Sequence, residues 1–356
     1  METWIWIFDR DFNQINVLQS YQSFAWEEAY QNRGLFTLIV SDTTENIKFL
    51  QEEYFLYMNG KKTAMVIKYR KFDSEKQLIE LHGYTTIELI DQRGLLGIKR
   101  LTNAERGMRE ILSDNLRGLP RIDAGENKGY TETFTAQYSN KLILDIFPEV
   151  CAGTELGIRM LFDYKNKRHV FDVYKGIDRT FGQSENPTAL FNEDFGTLTS
   201  TIIVDDASTF KNFAYVFGAG EGVDRIMTEV GTAVGRDRYE LFVDARDLQP
   251  EPEDPESGMT PQEYQEYIEI LKARGVAKLN EHNKRTSFTA EVDGRDFGIK
   301  YNLGDKVTCR SKRYGVTLNT RIMQYREVIE NNTNKIYLTL GDPEITMIGE
   351  LKLWLR

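Results

Sequence analysis

Apolar alternation with a period of two residues marks both ends of this 356-residue chain, and a helical texture interrupts it between them. That pattern demands strands with one buried face at each end. Met65, Ile67 and Tyr69 alternate with Val66, Lys68 and Arg70. The run Gly34 to Val40 follows Asn32-Arg33 and reads as a strand after a turn. Asn59-Gly60 lies between Tyr54–Met58 and the Met65 strand, and predicts a hairpin because both residues tolerate positive φ. Gln77 to Leu81 offers another strand. Residues 1–100 are therefore expected to form a small antiparallel β-domain.

The texture changes near Leu101. Met108, Ile111, Leu112, Leu116 and Leu119 recur at helical spacing, with Thr102 or Asn103 placed to cap the start and Pro120 to end it. A second short helix is expected from Lys141 to Val150. Ile158 to Tyr164 then turns at Asn166-Lys167 into Val170–Tyr174, as a hairpin. Residues 101–185 read as a small α+β insertion.

Strands return over 186–356, at Thr201–Val204, Asn212–Phe217, Tyr239–Val243, Thr286–Val292, Lys306–Arg310, Thr320–Val328 and Ile336–Leu340. The acidic, Pro-rich stretch 249–257 cannot pair into a sheet and is expected as an exposed loop. Thr260-Pro261-Gln262-Glu263 spells a capping box with Pro at the first helical position. Tyr264, Ile268, Leu271 and Leu279 form the expected stripe of a helix over 261–283, with a bend at Gly275. Asn331–Asn334 reads as a turn.

Composition excludes several classes. A charge of −10 opposes general nucleic-acid binding, which draws its affinity from Lys and Arg on phosphates. Two cysteines, Cys151 and Cys309, make neither a disulfide framework nor a four-thiolate zinc site, so a cytoplasmic folding environment is the default. The early apolar run Trp4–Phe8 is too short to span a bilayer. No Lys or Arg precedes it, so no secretory leader is expected. That run is apolar on both faces and reads either as a buried central strand or as a subunit contact.

No constellation supports catalysis. Gly218-Ala219-Gly220-Glu221-Gly222 departs from the dinucleotide pattern at Val223, lacks the Lys of a phosphate loop, and reads as a turn. His282 beside Glu281 has no second His at i+4. His82 and His169 are read without a carboxylate neighbour, as structural or surface residues. Asp205-Asp206 reads as a turn, Ser200, Ser208 and Ser287 lack a nucleophile elbow, and Cys151 reads as core. Asn331-Asn332-Thr333 matches a glycosylation sequon but reads as a turn. No catalytic, cofactor-binding or metal-ligating residue is assigned.

Several segments resemble the tail hub, or baseplate hub, proteins of tailed bacteriophages. They are Trp26-Glu27-Glu28-Ala29-Tyr30 with Gly34-Leu35-Phe36-Thr37-Leu38, and Asn212 through Gly222. The closest stretch runs from Leu279-Asn280-Glu281-His282 through Tyr301-Asn302-Leu303-Gly304-Asp305-Lys306-Val307-Thr308. It continues over Arg313–Val316 and Thr320–Ile322 to Leu338-Thr339-Leu340-Gly341-Asp342. The resemblance implies an α+β, mainly β, multidomain fold. Two tube-like β-barrel or sandwich domains, 1–100 and 186–356, would flank the α+β insertion.

It further implies a homotrimer, with two tube-like domains per chain forming a pseudo-sixfold ring. Such a hub closes the distal tail tube, joins distal tail, tape-measure and fibre or spike proteins, and opens for DNA ejection. DNA would transit the lumen without specific binding, and an acidic lining would repel it. The expected location is the virion tail, after synthesis in the host cytoplasm. Many relatives carry a C-terminal lytic domain; ending at Arg356, this chain is expected to be a structural, non-enzymatic hub without cofactor. The alternatives are the hub of a contractile bacteriocin or injection system, a β-rich cell-wall hydrolase, and a sugar-binding receptor module.

Overall fold

The structure is a computed structural model that describes residues 4–192, 198–250, 258–292, 296–330 and 333–341. The first block contains β1 (Ile5–Phe8), β2 (Gln14–Leu18), β3 (Ser23–Ala29), β4 (Leu35–Ser41), α1 (Thr44–Phe49), β5 (Phe55–Met58), β6 (Met65–Asp73) and β7 (Leu78–Thr85). The middle block contains β8 (Ile98–Asn103), α2 (Ala104–Asn115), β9 (Ile122–Asp123), β10 (Thr133–Ser139), α3 (Ile143–Thr154), β11 (Gly157–Asp163) and β12 (Arg168–Tyr174). The last block begins with β13 (Leu190–Asn192), β14 (Leu198–Asp206), β15 (Phe213–Phe217), β16 (Met227–Val230) and β17 (Glu240–Asp244). It continues with α4 (Pro261–Glu281), β18 (Arg285–Val292), β19 (Lys306–Ser311), β20 (Val316–Glu330) and β21 (Thr333–Gly341). The chain is mainly β, as expected.

Strands of the two end blocks share one sheet, in the order β14-β18-β21-β20-β3-β4-β7-β6-β5-β1-β2. The join is antiparallel, from Gln324↔Ala29 to Glu330↔Ser23. On either side of it stands a four-stranded antiparallel run, β3-β4-β7-β6 and β20-β21-β18-β14. One face of both runs is buried in a common core that includes Phe24, Trp26, Phe36, Leu38, Phe288, Tyr325, Leu338 and Leu340. Burying each side chain of that size contributes roughly 1.5–3 kcal/mol.

The strand Trp4–Phe8 is buried on both faces over most of its length. β1 lies between β5 and β2, with Ile5 and Ile7 in the common core. Phe8 enters a second cluster with Phe12, Phe55, Tyr57 and Phe162, and Trp6 packs against it. Trp4 is exposed.

The Asn59-Gly60 turn is present, with Gly60 at φ +89°. It is not a tight hairpin. β5 and β6 share only Phe55↔Val66 and Leu56↔Met65, while Tyr57 and Met58 pair with β1. The intervening chain widens because Ala64 enters the second cluster and Lys61 reaches Glu327.

Helix α2 starts behind Asn103, whose side chain caps Arg106 N at 2.9 Å. Helix α3 runs to Thr154, further than expected, and accommodates Pro148. With β11 and β12 these helices enclose a separate core around Met108, Ile111, Phe147, Cys151 and Phe171.

The capping box of α4 forms in full at Thr260 and Glu263. Its buried stripe is Tyr267, Ile268, Leu271 and Gly275, while Tyr264 is exposed. The Tyr267 hydroxyl explains the choice: it donates to Leu248 O at 2.7 Å and accepts from Ala219 N at 2.8 Å. Gly275 does not break the helix. It lets α4 approach β15 and β16, because a Cβ there would lie 2.7 Å from Val216 and Val230 methyls. These strands and β17 form a three-stranded sheet under α4, with its own core. Residues 251–257 of the acidic stretch, Asn331, Asn332 and Asp342 lie outside the described residues, whereas Thr333 and Asn334, expected in a turn, already belong to β21 because they pair with Glu330 and Ile329.

Candidate functional site

Two of the segments that carry the family resemblance, Trp26–Tyr30 and Tyr301–Thr308, meet at one buried residue. Tyr30, directly after β3, is fully buried. Its backbone N–H donates to Met323 O and its carbonyl accepts from Ile158 N, both at 2.9 Å. Its hydroxyl donates to Glu155 O at 2.9 Å and accepts from Gly176 N at 3.1 Å. Tyr30 therefore touches all three blocks. Burial raises the phenol to about 12, against the opposing pull of the Arg321 guanidinium 5.2 Å from the ring.

Two glycines make room for that ring, and a third lets the backbone close beside it. A Cβ on Gly157 or Gly304 would stand 2.1 or 2.3 Å from Tyr30 ring carbons. A Cβ on Gly176 would meet Gly304 O at 1.7 Å. Gly304 also holds φ +93°, which a side chain rarely adopts.

Beside Gly304, the buried Asp305 accepts from Ile177 N at 2.8 Å, Asn302 N at 3.0 Å and Arg179 Nε at 2.7 Å. Arg321 donates to Gly304 O and lies 3.2 Å from Glu155. Lys306 lies 2.8 Å from the same carboxylate. The Lys306 ammonium, with Arg321 behind it, holds Glu155 below its ordinary value despite partial burial.

A second polar link crosses the join of the end blocks. Glu327 receives Lys61 Nζ at 2.8 Å, Tyr325 OH at 2.5 Å and Asn334 Nδ2 at 2.6 Å. Burial alone would raise this carboxyl; its three donors hold it below the ordinary value.

These links pin a sheet whose second face is polar. One row across it is Tyr69, His82, Thr37, Ala25, Val328 and Lys335, each paired with the next. The next row is Lys71, Glu80, Ile39, Ser23, Glu330 and Thr333. Both signs of charge appear, in balance. His82 has a carboxylate partner after all: Glu80 lies 2.9 Å from Nε2, two residues back on the same face. That spacing was visible in the sequence.

The remaining candidates stay apart. The Gly218–Gly222 stretch is a turn, held by Gly218 N to Ile226 O at 2.8 Å. Asp205 and Asp206, expected as a turn, instead end β14, paired with Thr286 and Arg285, and Asp206 caps the turn that follows at Ser208 N. His282 ends α4 with Nδ1 3.1 Å from Thr209 O. Cys151 is buried in the helical core. Among the described residues no cluster of His, Cys, Asp or Glu is arranged to hold a metal ion, and no helix is long and apolar enough to cross a membrane. His169 is buried with both ring nitrogens unpartnered among the described residues. In the sequence, Tyr30, Gly304 and Asp305 stand out only as parts of motifs. The glycine followed by an acid in Gly304-Asp305 is the signal for a close approach.

A mainly β chain built this way has the fold of phage tail proteins. The prophage tail protein gp18 from Listeria monocytogenes EGD-e matches with a TM-score of 0.55 at 13% identity, over 98% of this chain and 97% of that one. A tail protein from Neisseria meningitidis MC58 matches with 0.55 at 8% identity, over 97% and 98%. The 43 kDa tail protein of prophage MuSo2 from Shewanella oneidensis matches with 0.52 at 10% identity, over 96% and 97%. At these identities the likeness establishes the fold. The chain belongs to the family described as Siphovirus ReqiPepy6 Gp37-like protein, whose model matches residues 4–342. Among curated proteins none matches the sequence.

Proposed function

We propose that this phage tail protein is the hub at the distal end of the tail, and that it assembles as a homotrimer. The observation that carries this reading is the fusion of two four-stranded antiparallel runs into one sheet whose second face carries half-exposed polar rows. Three copies supply six such runs, the number a pseudo-sixfold tube end needs. Residues 1–100 and 186–356 then hold the two tube-like units, and 101–185 is the insertion that widens the ring. The polar rows through His82 and Glu80 line the lumen. Their balanced charge offers DNA no basic track, so DNA passes without specific binding. Distal tail, tape-measure and fibre or spike proteins dock around the ring. The role is structural, without catalysis.

Negative-stain electron microscopy of the purified chain over a range of concentrations tests this. Threefold rings with a central hole are the expected result. Monomers at every concentration, with and without a distal tail protein, would overturn it. A lytic band in a cell-wall zymogram would overturn the non-enzymatic role.

A further inference from the structure

Away from the long sheet, an open cavity of about 570 Å³ runs beside α4. Its floor is one face of that helix: Glu269, Lys272, Ala273 and Val276, at the i, i+3, i+4, i+7 spacing. Val276 is 48% exposed there, a β-branched side chain left in water. The walls are Glu229 to Gly231 on one side and Thr135 on the other.

Both walls are strand edges to which no further strand pairs among the described residues. β16 is the outer strand of the order β16-β15-β17, and among the described residues β10 pairs only with β8. Ile226 bonds to the chain of β15 through Gly218 N and Ala219 O. The ladder pairs Val216 with Thr228 and Ala214 with Val230. Antiparallel alternation then turns the backbone groups of Met227 and Glu229 outward. On the opposite wall, Gln137 O faces α4 and accepts from Arg274 Nη2 at 3.0 Å. Thr135 sits in the bulge between Thr133 and Ala136, and is exposed.

We propose that this slot binds an extended segment of another protein as an added strand on β16, with apolar and basic side chains alternating along it. The unused edge supplies main-chain bonds, and Ala273 and Val276 take the apolar side chains. Charge selects the rest. Lys272 is already paired with Glu269 at 2.8 Å, whereas the Glu229 carboxylate has no partner among the described residues. A Lys or Arg of the incoming strand completes it. A second copy of this chain fits less well: the chain carries −10, and its own edge strand β14 ends in Asp205-Asp206. The inference does not depend on the trimeric hub.

The test selects a displayed library of random nine-residue peptides on the full chain, with counter-selection on Glu229→Pro. That variant removes an N–H pointing away from β15 and leaves the β15 ladder intact. Its melting temperature is measured first. If it fails to fold, Val276→Arg, which places a cation in the slot from an exposed site, takes its place. Survivors should alternate apolar residues with Lys or Arg. They should bind the variant at least tenfold more weakly, and Glu229→Gln severalfold more weakly. No survivors, survivors that bind the variant equally, or acidic survivors would overturn the proposal. So would sedimentation showing a dimer that the selected peptides dissociate, since a second copy would then be the occupant.

Discussion

Tyr30 and His169 are both polar aromatics buried where blocks meet, and their surroundings are opposite. The Tyr30 hydroxyl has a donor and an acceptor, and its ring packs against the backbone of two glycines, Gly157 and Gly304. His169 lies among Phe12, Phe55 and Phe162, with ring centroids 4.7, 4.9 and 5.5 Å away and no hydrogen bond to either nitrogen among the described residues. The first contact is directional and admits one geometry. The second is held by area alone, and any flat ring of that size satisfies it. The chain thus sets the mutual placement of its blocks at Tyr30 and adds adhesive area at His169.

That contrast breaks hardest at Asp305. Asp305→Ala takes the acceptor from two backbone N–H groups and from Arg179 Nε, leaving that half-buried guanidinium only Pro187 O, 3.3 Å from Nη1. The expected loss is about 3–5 kcal/mol, read from urea unfolding of the purified chain. Gly176→Ala comes next, because its Cβ collides with backbone rather than with a flexible side chain. About 3 kcal/mol, or failure to accumulate as soluble protein, is expected. Tyr30→Phe keeps the ring and strands Gly176 N and Glu155 O, for about 1–3 kcal/mol. If Tyr30→Phe proves neutral, the directional reading of this junction fails and the two regions are alike.

Legibility in the sequence follows the range of the interaction. The capping box of α4 and the Asn103 cap are local, and the sequence spells both out. The face of α4 is less local: Tyr264 and Tyr267 each fit a helical stripe with Ile268 and Leu271. Only the acceptor at Leu248 O decides between them. β8 and β16 escape notice because Ile98–Asn103 and Met227–Val230 are short and do not alternate cleanly. The pairing of β3 with β20 joins residues such as Ser23 and Glu330, 307 positions apart, and no periodicity states which strands will meet. Likewise Gly304 and Asp305 were visible as a motif through resemblance. Their reason, the Tyr30 ring on one side and Arg179 on the other, exists only once the blocks are together.

The smallest effect at neutral pH sharpens the comparison most. Burial pushes the His169 imidazole down to about 3, from an ordinary value near 6.5. Above pH 6.5 it is neutral in both folded and unfolded chains and contributes no pH dependence. Between 6.5 and about 3 the unfolded chain binds a proton that the folded chain refuses, so stability falls as pH falls. The slope of this one group is about 1.4 kcal/mol per pH unit inside that window. His169→Phe matches its neighbours Phe12, Phe55 and Phe162 and removes the proton site. At pH 7 it should change stability by less than about 1 kcal/mol, in the stabilising direction, since two unpaired buried nitrogens disappear. Carboxylates titrate in the same range, so the difference between wild type and variant is the quantity to follow by urea unfolding from pH 7 to pH 4. A difference that widens as pH falls marks His169 as an apolar contact made with a polar ring. A constant difference means that the folded chain protonates His169 as readily as the unfolded one, and the His169 contact then belongs with the satisfied junction at Tyr30.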